Sequence, residues 1–170
     1  MPKAIKRFSV RKKEGKRFLY KISQILGIDA EKVFGSKPQI EIINVKRKRI
    51  YLIDGVPQVA MLEDIIFPTL FFKEYLNQLP KVTVDMGAVP YICNGADIMA
   101  PGIVEVSGDF KEKALVAVID ERNKRLIAVA QALFDSEKTR TIRKGKALRN
   151  LHYVGDEIWN LMKDSFSAYL

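Results

Sequence analysis

One segment of the sequence, VDMGAVPYICNGADIMAPGI at residues 84–103, combines apolar residues with glycines, prolines and an Asn-Gly pair. Gly95 follows Asn94 at a point where the chain can take positive φ and reverse direction. Gly95, Ala96 and Gly102 leave the backbone N–H groups uncovered, so a nucleotide could approach them closely. The alternative interpretation is that the glycines only make a tight turn in a crowded barrel.

Clustered basic residues are the second feature that could do chemistry. The chain contains 29 Lys and Arg residues against 20 Asp and Glu, and residues 1–50 alone hold 15 bases and 4 acids. Such clusters favour a polyanionic partner, RNA or DNA, over a merely solvated surface. Four bases fall at one predicted turn: Lys46, Arg47, Lys48 and Arg49. A second run contains no acid and six bases: Lys138, Arg140, Arg143, Lys144, Lys146 and Arg149.

The sequence offers no constellation of residues for catalysis. His152 is the one histidine, and its apolar surroundings favour a packed, hydrogen-bonded role. Cys93 falls at an inward position of a predicted helical turn, and one His with one Cys cannot supply a metal site. The segment FGSKP at residues 34–38 lacks the spacing of a phosphate-binding P-loop. We therefore expect no enzymatic activity, no cofactor and no metal.

Composition indicates a globular protein without a membrane span. No apolar run reaches the roughly 18 residues that a spanning helix needs, and the N-terminus lacks the apolar region of a signal peptide. The single cysteine excludes an internal disulfide and fits a reducing cytoplasm. We expect a cytoplasmic protein.

The N-terminal half shows helix and hairpin signals. Residues 14–27 predict an amphipathic helix with Phe18, Leu19, Ile22, Ile25 and Leu26 on its apolar face, which ends at a glycine. Residues 39–62 predict three antiparallel strands, because Asp54-Gly55 is a strong hairpin signal. Residues 63–79 predict a partly helical segment, with Pro68 in the first turn of a helix.

After Pro80 the pattern changes to short, evenly spaced strands, which is typical of a small barrel. The predicted elements are strands over 81–85, 102–106, 114–119, 126–133 and 145–154, a helical turn over 87–94, and a closing helix over 156–162. Residues 96–102 are predicted to form a loop. The change of pattern places a boundary near residues 79–81, giving domains 1–79 and 80–170.

Longer stretches of the sequence resemble known families. VTVDMGAVPYICNGADIMAPGIVEV resembles the opening of a PUA domain, an RNA-binding pseudobarrel, and RLIAVAQAL and GKALRNLHYVGDEIW resemble its later strands and closing segment. IFPTLFFKEYLNQLP before the barrel resembles the malignant T-cell amplified sequence family, which has yeast and archaeal relatives and includes the N-terminal part of ligatin. The resemblance implies an α+β pre-PUA domain followed by a mainly-β PUA pseudobarrel.

The resemblance also implies where RNA binds. PUA domains hold RNA with the loop after the first helix and with the last strand. The corresponding loop residues here are Asn94, Gly95, Ala96, Asp97, Met99, Pro101 and Gly102. The corresponding basic residues are Arg143, Lys144, Lys146 and Arg149, with Lys46, Arg47, Lys48 and Arg49 as a secondary basic patch.

The function that the resemblance implies is translation-associated RNA binding, at the small ribosomal subunit or on tRNA. Two alternatives stay open: an RNA-targeting accessory subunit of a tRNA- or rRNA-modifying enzyme, and a protein-interaction scaffold. Family members in eukaryotes pair with density-regulated protein through the pre-PUA domain, so a protein partner on that domain is also expected.

Overall fold

The computed structural model describes residues 5–166, so residues 1–4 and 167–170 of the two predicted domains lie outside the described part. The N-terminal elements form an antiparallel sheet of order β1-β2-β3-β4-β5 with three helices. Their bounds are β1 Phe8–Ser9, α1 Lys12–Leu26, α2 Ala30–Phe34, β2 Ile40–Val45, β3 Lys48–Ile53, β4 Val56–Leu62, β5 Ile65–Pro68 and α3 Lys73–Leu76.

Two local signals in this half are confirmed. α1 ends at Gly27, whose φ of 65° is left-handed and whose N–H donates to the Ser23 carbonyl. The β3–β4 hairpin turns through Asp54 and Gly55, both at positive φ (49° and 80°). The predicted apolar face of α1 is wrong at Ile25, which is exposed, whereas Ile22 and Leu26 of that face are buried.

The partly helical segment predicted over residues 63–79 is confirmed at α3, but the helical turn predicted at Pro68 is wrong. Residues 65–68 form β5, the edge strand beside β4, and Pro68 pairs with Val59 instead of starting a helix. Proline suits an edge strand because no further strand needs its missing N–H. Within residues 63–79 the structure has one helix, α3.

The C-terminal elements form a second sheet of order β7-β11-β10-β9-β6-β8. Register shifts in four of its strand pairs bend the strands, and these bends curl the sheet into the predicted pseudobarrel. The bounds are β6 Lys81–Val84, α4 Val89–Ile92, β7 Ile98–Met99, β8 Ile103–Ser107, β9 Leu115–Asp120, β10 Leu126–Ala132, α5 Ser136–Thr141, β11 Lys146–Tyr153 and α6 Glu157–Ser165.

Most predicted strands of this half are confirmed, and one loop is not. Residues 96–102 were expected to be irregular, but Ile98 and Met99 form β7 against β11 and residues 100–102 form a 3₁₀ turn. β6 and β9 are parallel, whereas the other neighbouring strands of the sheet are antiparallel. The short strand β7 therefore fixes the glycine-rich segment to the last strand.

The two halves share one hydrophobic core. Leu151 of β11 and Ile158 and Met162 of α6 pack in the same buried cluster as Ile50 and Phe67 of the N-terminal sheet. This cluster covers one face of the N-terminal sheet, and α1 covers the other. The division into domains 1–79 and 80–170 stays a prediction, and each half buries apolar surface of the other.

A buried polar network joins the halves at this core. Lys48 Nζ of β3 donates to Asp156 Oδ2 at 3.1 Å, and His152 Nδ1 lies 2.7 Å from the same oxygen. The backbone N–H of Leu70 donates to His152 Nε2 at 3.1 Å. Because Nε2 accepts the Leu70 N–H, the proton that His152 donates to Asp156 lies on Nδ1.

Asp156 is held ionised by these donors. Burial by itself raises the pKa of Asp156, but the hydrogen bonds from His152 and the Trp159 N–H, together with the Lys48 charge, outweigh it and lower the pKa to about 2. The Trp159 bond, at 2.8 Å, also makes Asp156 the N-cap of α6. One carboxylate thus caps a helix and joins two sheets.

Replacing Asp156 by asparagine is expected to lower the free energy of unfolding by about 3–5 kcal/mol, because an amide N–H₂ would face Lys48 and His152. The parent should also lose about 2 kcal/mol as the pH falls from about 4 to about 2, since the carboxylate has a higher pKa when unfolded than when folded. Urea unfolding at several pH values measures both effects.

Asp64→Asn, at an exposed carboxylate, is the control. Parallel pH curves for the parent and Asp156→Asn would contradict the assignment.

Candidate nucleic-acid interface

The glycine-rich segment is a rigid loop against β11. Gly95 has a φ of 100° and its N–H donates to the Ile92 carbonyl, which ends α4 as predicted. A Cβ at Gly95 would lie 3.1 Å from Tyr153 Oη, so the glycine is also required by packing. Asn94 does not share the positive φ expected of the Asn-Gly pair. Gly95 is exposed and is also packed on one side, so it makes a tight turn, and the approach of a nucleotide to it stays a prediction.

Asp97 fastens this loop to β11. Its Oδ1 accepts the backbone N–H of Asn150 at 3.0 Å, and its Oδ2 lies 3.2 Å from Lys146 Nζ. The Asn150 amide donates in return to the carbonyls of Ile92 and Ala96, at 3.1 and 2.9 Å. Four polar contacts thus hold the loop in one position relative to the strand.

The far end of the loop is packed equally closely. The Ala100 N–H donates to the Gly145 carbonyl at 2.8 Å. A Cβ at Gly102 would lie 3.0 Å from the Ala88 Cβ, so glycine lets the 3₁₀ turn approach α4. The glycines were expected to leave backbone exposed, and at Gly102 the structure shows close packing instead.

A shallow cavity of about 350 Å³ opens beside the loop, and its lining is mainly apolar. The side chains that line it include Asp85, Tyr91, Asp97, Met99 and Pro101. Tyr91 is 71% exposed and Met99 is 44% exposed, both large for apolar side chains. Tyr91 is not among the predicted site residues, although an aromatic residue three positions before the Asn-Gly pair was an available signal. An exposed ring beside a cavity can stack a base.

The basic candidates on and before β11 separate into two classes. Arg143 and Lys144 are exposed, and neither has an ionic partner within residues 5–166. Lys146 is paired with Asp97, as described above. Arg149 forms two hydrogen bonds to the Glu63 carboxylate, at 3.0 and 3.4 Å, and these lower the pKa of Glu63.

Arg149 does not join the loop-facing group. Lys146 pairs with Asp97 of the loop, whereas Arg149 pairs with Glu63. Arg149 reaches the β4–β5 turn of the N-terminal sheet. The run before β11 is also partly structural, because Arg140 donates to the Gly108 carbonyl at 2.7 Å and Lys138 lies over the Phe134 ring.

The secondary basic patch at residues 46–49 is wrong at Lys48, which is buried, and RNA contact at Lys46, Arg47 and Arg49 stays a prediction. The turn consists of Lys46 and Arg47 alone, so Lys48 belongs to β3 and points inward, with 9% of its side chain exposed. Arg47 pairs with Glu63 at 3.3 Å, and Arg49 donates to the Asn44 side chain at 3.2 Å. The four bases do not form one surface.

Neither a metal cluster nor a reactive thiol is found in the described part of the chain. Among residues 5–166, no cluster of His, Cys, Asp and Glu could hold a metal ion. Cys93 is half-buried, and burial raises the pKa of its thiol, which disfavours the reactive thiolate. Within the same range no helix is long and apolar enough to cross a membrane. The absence of enzymatic activity stays a prediction.

Comparison with family models matches both sheets. A model described as PUA domain covers residues 80–154, and one described as domain of unknown function DUF1947 covers residues 6–76. A PUA domain from Aeropyrum pernix, solved as a tartrate complex, matches with a TM-score of 0.77 at 26% identity, covering 94% of this chain and 92% of that one.

Curated proteins are similar over most of the chain. An uncharacterized protein of Methanocaldococcus jannaschii is 39% identical over 158 residues, which are 91% of this chain and 96% of that protein. Translation machinery-associated protein 20 of Saccharomyces cerevisiae is 29% identical over 76% of each chain. Malignant T-cell-amplified sequence 1 of Rattus norvegicus is 26% identical over 78% of this chain and 71% of that protein.

Replacing Asp97 by alanine should release the loop from β11. The Asn150 N–H would lose its acceptor and Lys146 its partner, and we expect about 1 kcal/mol less stability with faster amide exchange at Asn150. Asp97→Asn, which can keep the Oδ1 acceptor but not the charge, should retain most of the protection. Hydrogen exchange followed by NMR measures it. Unchanged exchange at Asn150 in the alanine variant would exclude Asp97 as the fastening residue.

Proposed function

Because this chain belongs to the PUA-domain family, with a DUF1947 domain before the PUA domain, we propose that it binds RNA and acts in translation. The relatives confirm the predicted resemblance and the predicted fold, an α+β unit followed by a PUA pseudobarrel. A relative that is associated with the translation machinery supports the translational part of the proposal.

The observation that carries the RNA-binding part is the position of Arg143 and Lys144 beside the rigid loop. The Ala100–Gly145 hydrogen bond ties the loop directly to the residue after Lys144. Arg143 lines a second cavity, and Pro101 of the loop lines both this cavity and the one that contains Tyr91. Phosphates bound by the cations would place a neighbouring nucleotide at the cavity.

The cavity is suited to an unstacked nucleotide. Tyr91 and Met99 offer apolar contact area, and the Asp97 carboxylate at the cavity can accept a hydrogen bond from a base amino group. Cations position the backbone without reading sequence, whereas the cavity can select an RNA end or a splayed base. We propose Asn94, Gly95, Ala96, Asp97, Met99, Pro101 and Gly102 as this contact, with Tyr91 added.

We place the action at the small ribosomal subunit or on tRNA, in the cytoplasm, with a protein partner on the N-terminal domain. Co-purification from cells of the source organism at low salt tests this placement. Ribosomal subunits or tRNA in the eluate would support it. A modification enzyme would indicate an accessory subunit instead, and recovery of protein partners alone would indicate a scaffold.

Changing both Arg143 and Lys144 to serine should flatten the salt dependence of RNA binding. Two lost phosphate contacts reduce the log–log slope by roughly 1.4, and the loss should be similar for all RNAs. Fluorescence titration of labelled tRNA at several salt concentrations measures the slope. The control is Lys111→Ser with Arg122→Ser, an equal charge change at exposed residues that do not line the Tyr91 cavity. An unchanged slope in the Arg143 and Lys144 variant would refute phosphate contacts at this segment.

Replacing Tyr91 by alanine should weaken binding to the preferred RNA without changing the slope. Loss of one stacked base costs about 1–3 kcal/mol, and the exposed ring contributes little to folding. Tyr91→Phe keeps the ring and should bind like the parent. Titration of the RNA that co-purifies with the protein provides the measurement. Parental affinity in Tyr91→Ala would exclude the cavity as a base-binding site.

A further inference from the structure

A second cationic surface lies on the N-terminal domain, outside the site described above. A cavity of about 660 Å³ separates the first turns of α1 from the segment that leads into β2. Four lysines line it, and none has an ionic partner within residues 5–166: Lys12, Lys13, Lys16 and Lys37. Unpaired like charges around one cavity repel one another, so an anion bound there would relieve the repulsion.

The cavity continues along α1 as a groove. A neighbouring cavity of about 450 Å³ shares Lys16 and Lys37 and extends to Tyr20, which is 70% exposed. Asp29 and Glu31 line this far end, so the positive charge is concentrated at the beginning of α1. We call the two connected cavities the lysine groove.

Helical spacing aligns the groove's side chains. Lys12, Lys16 and Tyr20 are four residues apart, so they lie along one face of α1 at intervals of about 6 Å. Gly15 is buried between α1 and β2, and a Cβ there would already touch Ile40 at 3.5 Å. The absence of a side chain at Gly15 leaves space at the bottom of the cavity, between the lysine side chains.

The lining favours RNA over an acidic peptide. Lysines along the rim can contact successive phosphates, while Val10, Leu19 and Ile40 in the lining and the exposed Tyr20 ring suit sugars and bases. Groove cations combined with an aromatic platform are the arrangement that holds single-stranded nucleic acid. An acidic peptide would use the cations and leave the aromatic ring without a matching group.

We propose that the lysine groove binds a single-stranded segment of RNA, as a contact separate from the PUA loop. The proposal rests on the proposed RNA-binding function and adds a second site to it. α1 covers the face of the N-terminal sheet opposite to the face that packs on the C-terminal half. The groove therefore reaches a different segment of a large RNA from the segment at the PUA loop.

Titration of the full chain with labelled twelve-nucleotide oligouridine tests the groove. Lys12→Gln, Lys16→Gln and Lys37→Gln together should lower the log–log salt slope by roughly 2, for three phosphate contacts. The matched control is Lys21→Gln, Lys32→Gln and Lys73→Gln. It removes the same charge from three exposed lysines that do not line the first cavity. Glutamine keeps helix propensity, and equal melting temperatures would show that both variants fold. Equal losses of slope in the two variants would overturn the proposal.

Two further readouts locate the ligand. Photocrosslinking of 4-thiouridine oligomers should label residues 10–20 and 36–40 in the parent and lose that label in the groove variant. A polyglutamate peptide of twelve residues is the competing probe. If the groove variant lost polyglutamate binding but retained oligouridine binding, the occupant would be an acidic protein segment and the proposal would fail.

The outcomes separate this proposal from the function on which it rests. If tRNA binding depends on Arg143 and Lys144 while oligouridine binding is unchanged in the groove variant, the groove proposal fails and the proposed function stands. If oligouridine crosslinks to the groove while tRNA binding is unchanged in the Arg143 and Lys144 variant, the groove proposal is supported and the proposed PUA contact fails. If the parent binds neither RNA, both fail.

Discussion

The ionised, buried carboxylate of Asp156 joins the two sheets of this molecule. Its two oxygens together receive Lys48 from the N-terminal sheet, His152 from β11, and the backbone N–H groups of Tyr153 and Trp159. An unpaired carboxylate in this core would be strongly destabilising, so each donor must stay in place once the core has closed. The network thereby fixes the end of β11, the start of α6 and the approach of β3 at one point.

The position of the candidate site follows from that constraint through β11. β11 begins at Lys146, beside the exposed cations, and ends at the buried network. Asn150 lies on the strand between these two ends. Asn150 and Asp97 then hold the glycine-rich loop on the strand by side-chain and backbone hydrogen bonds. The loop is therefore arranged before any ligand arrives, and binding does not have to overcome the entropy of ordering it. Glycine serves close packing here, and exposure of the backbone is limited to the turn at Gly95.

Local chemistry made much of the fold predictable, and distant contacts explain the errors. Gly27 and the Asp54-Gly55 turn act through their own backbone angles, so their roles could be predicted from neighbouring residues. Pro68 could begin a helix or end an edge strand, and pairing with β4 decided between them. Lys48 pairs with the carboxylate of Asp156, which is 108 residues away in the sequence. Arg149 pairs with Glu63, which is 86 residues away. No spacing rule within a basic run identifies such partners, which is why five of the eight predicted basic site residues hold side-chain partners in the structure.

Net charge is therefore a poor guide to where this protein meets a polyanion. Lys48, Lys146 and Arg149 contribute to the formal charge of +9, but each already has a carboxylate within 3.2 Å. A phosphate would have to displace that carboxylate, and a buried pair such as Lys48 and Asp156 cannot be separated without opening the core. The cations that can bind phosphate without such a cost are those without partners. In the described residues these cations include Arg143 and Lys144 beside the loop and the lysines along α1, which lie on two different surfaces of the molecule.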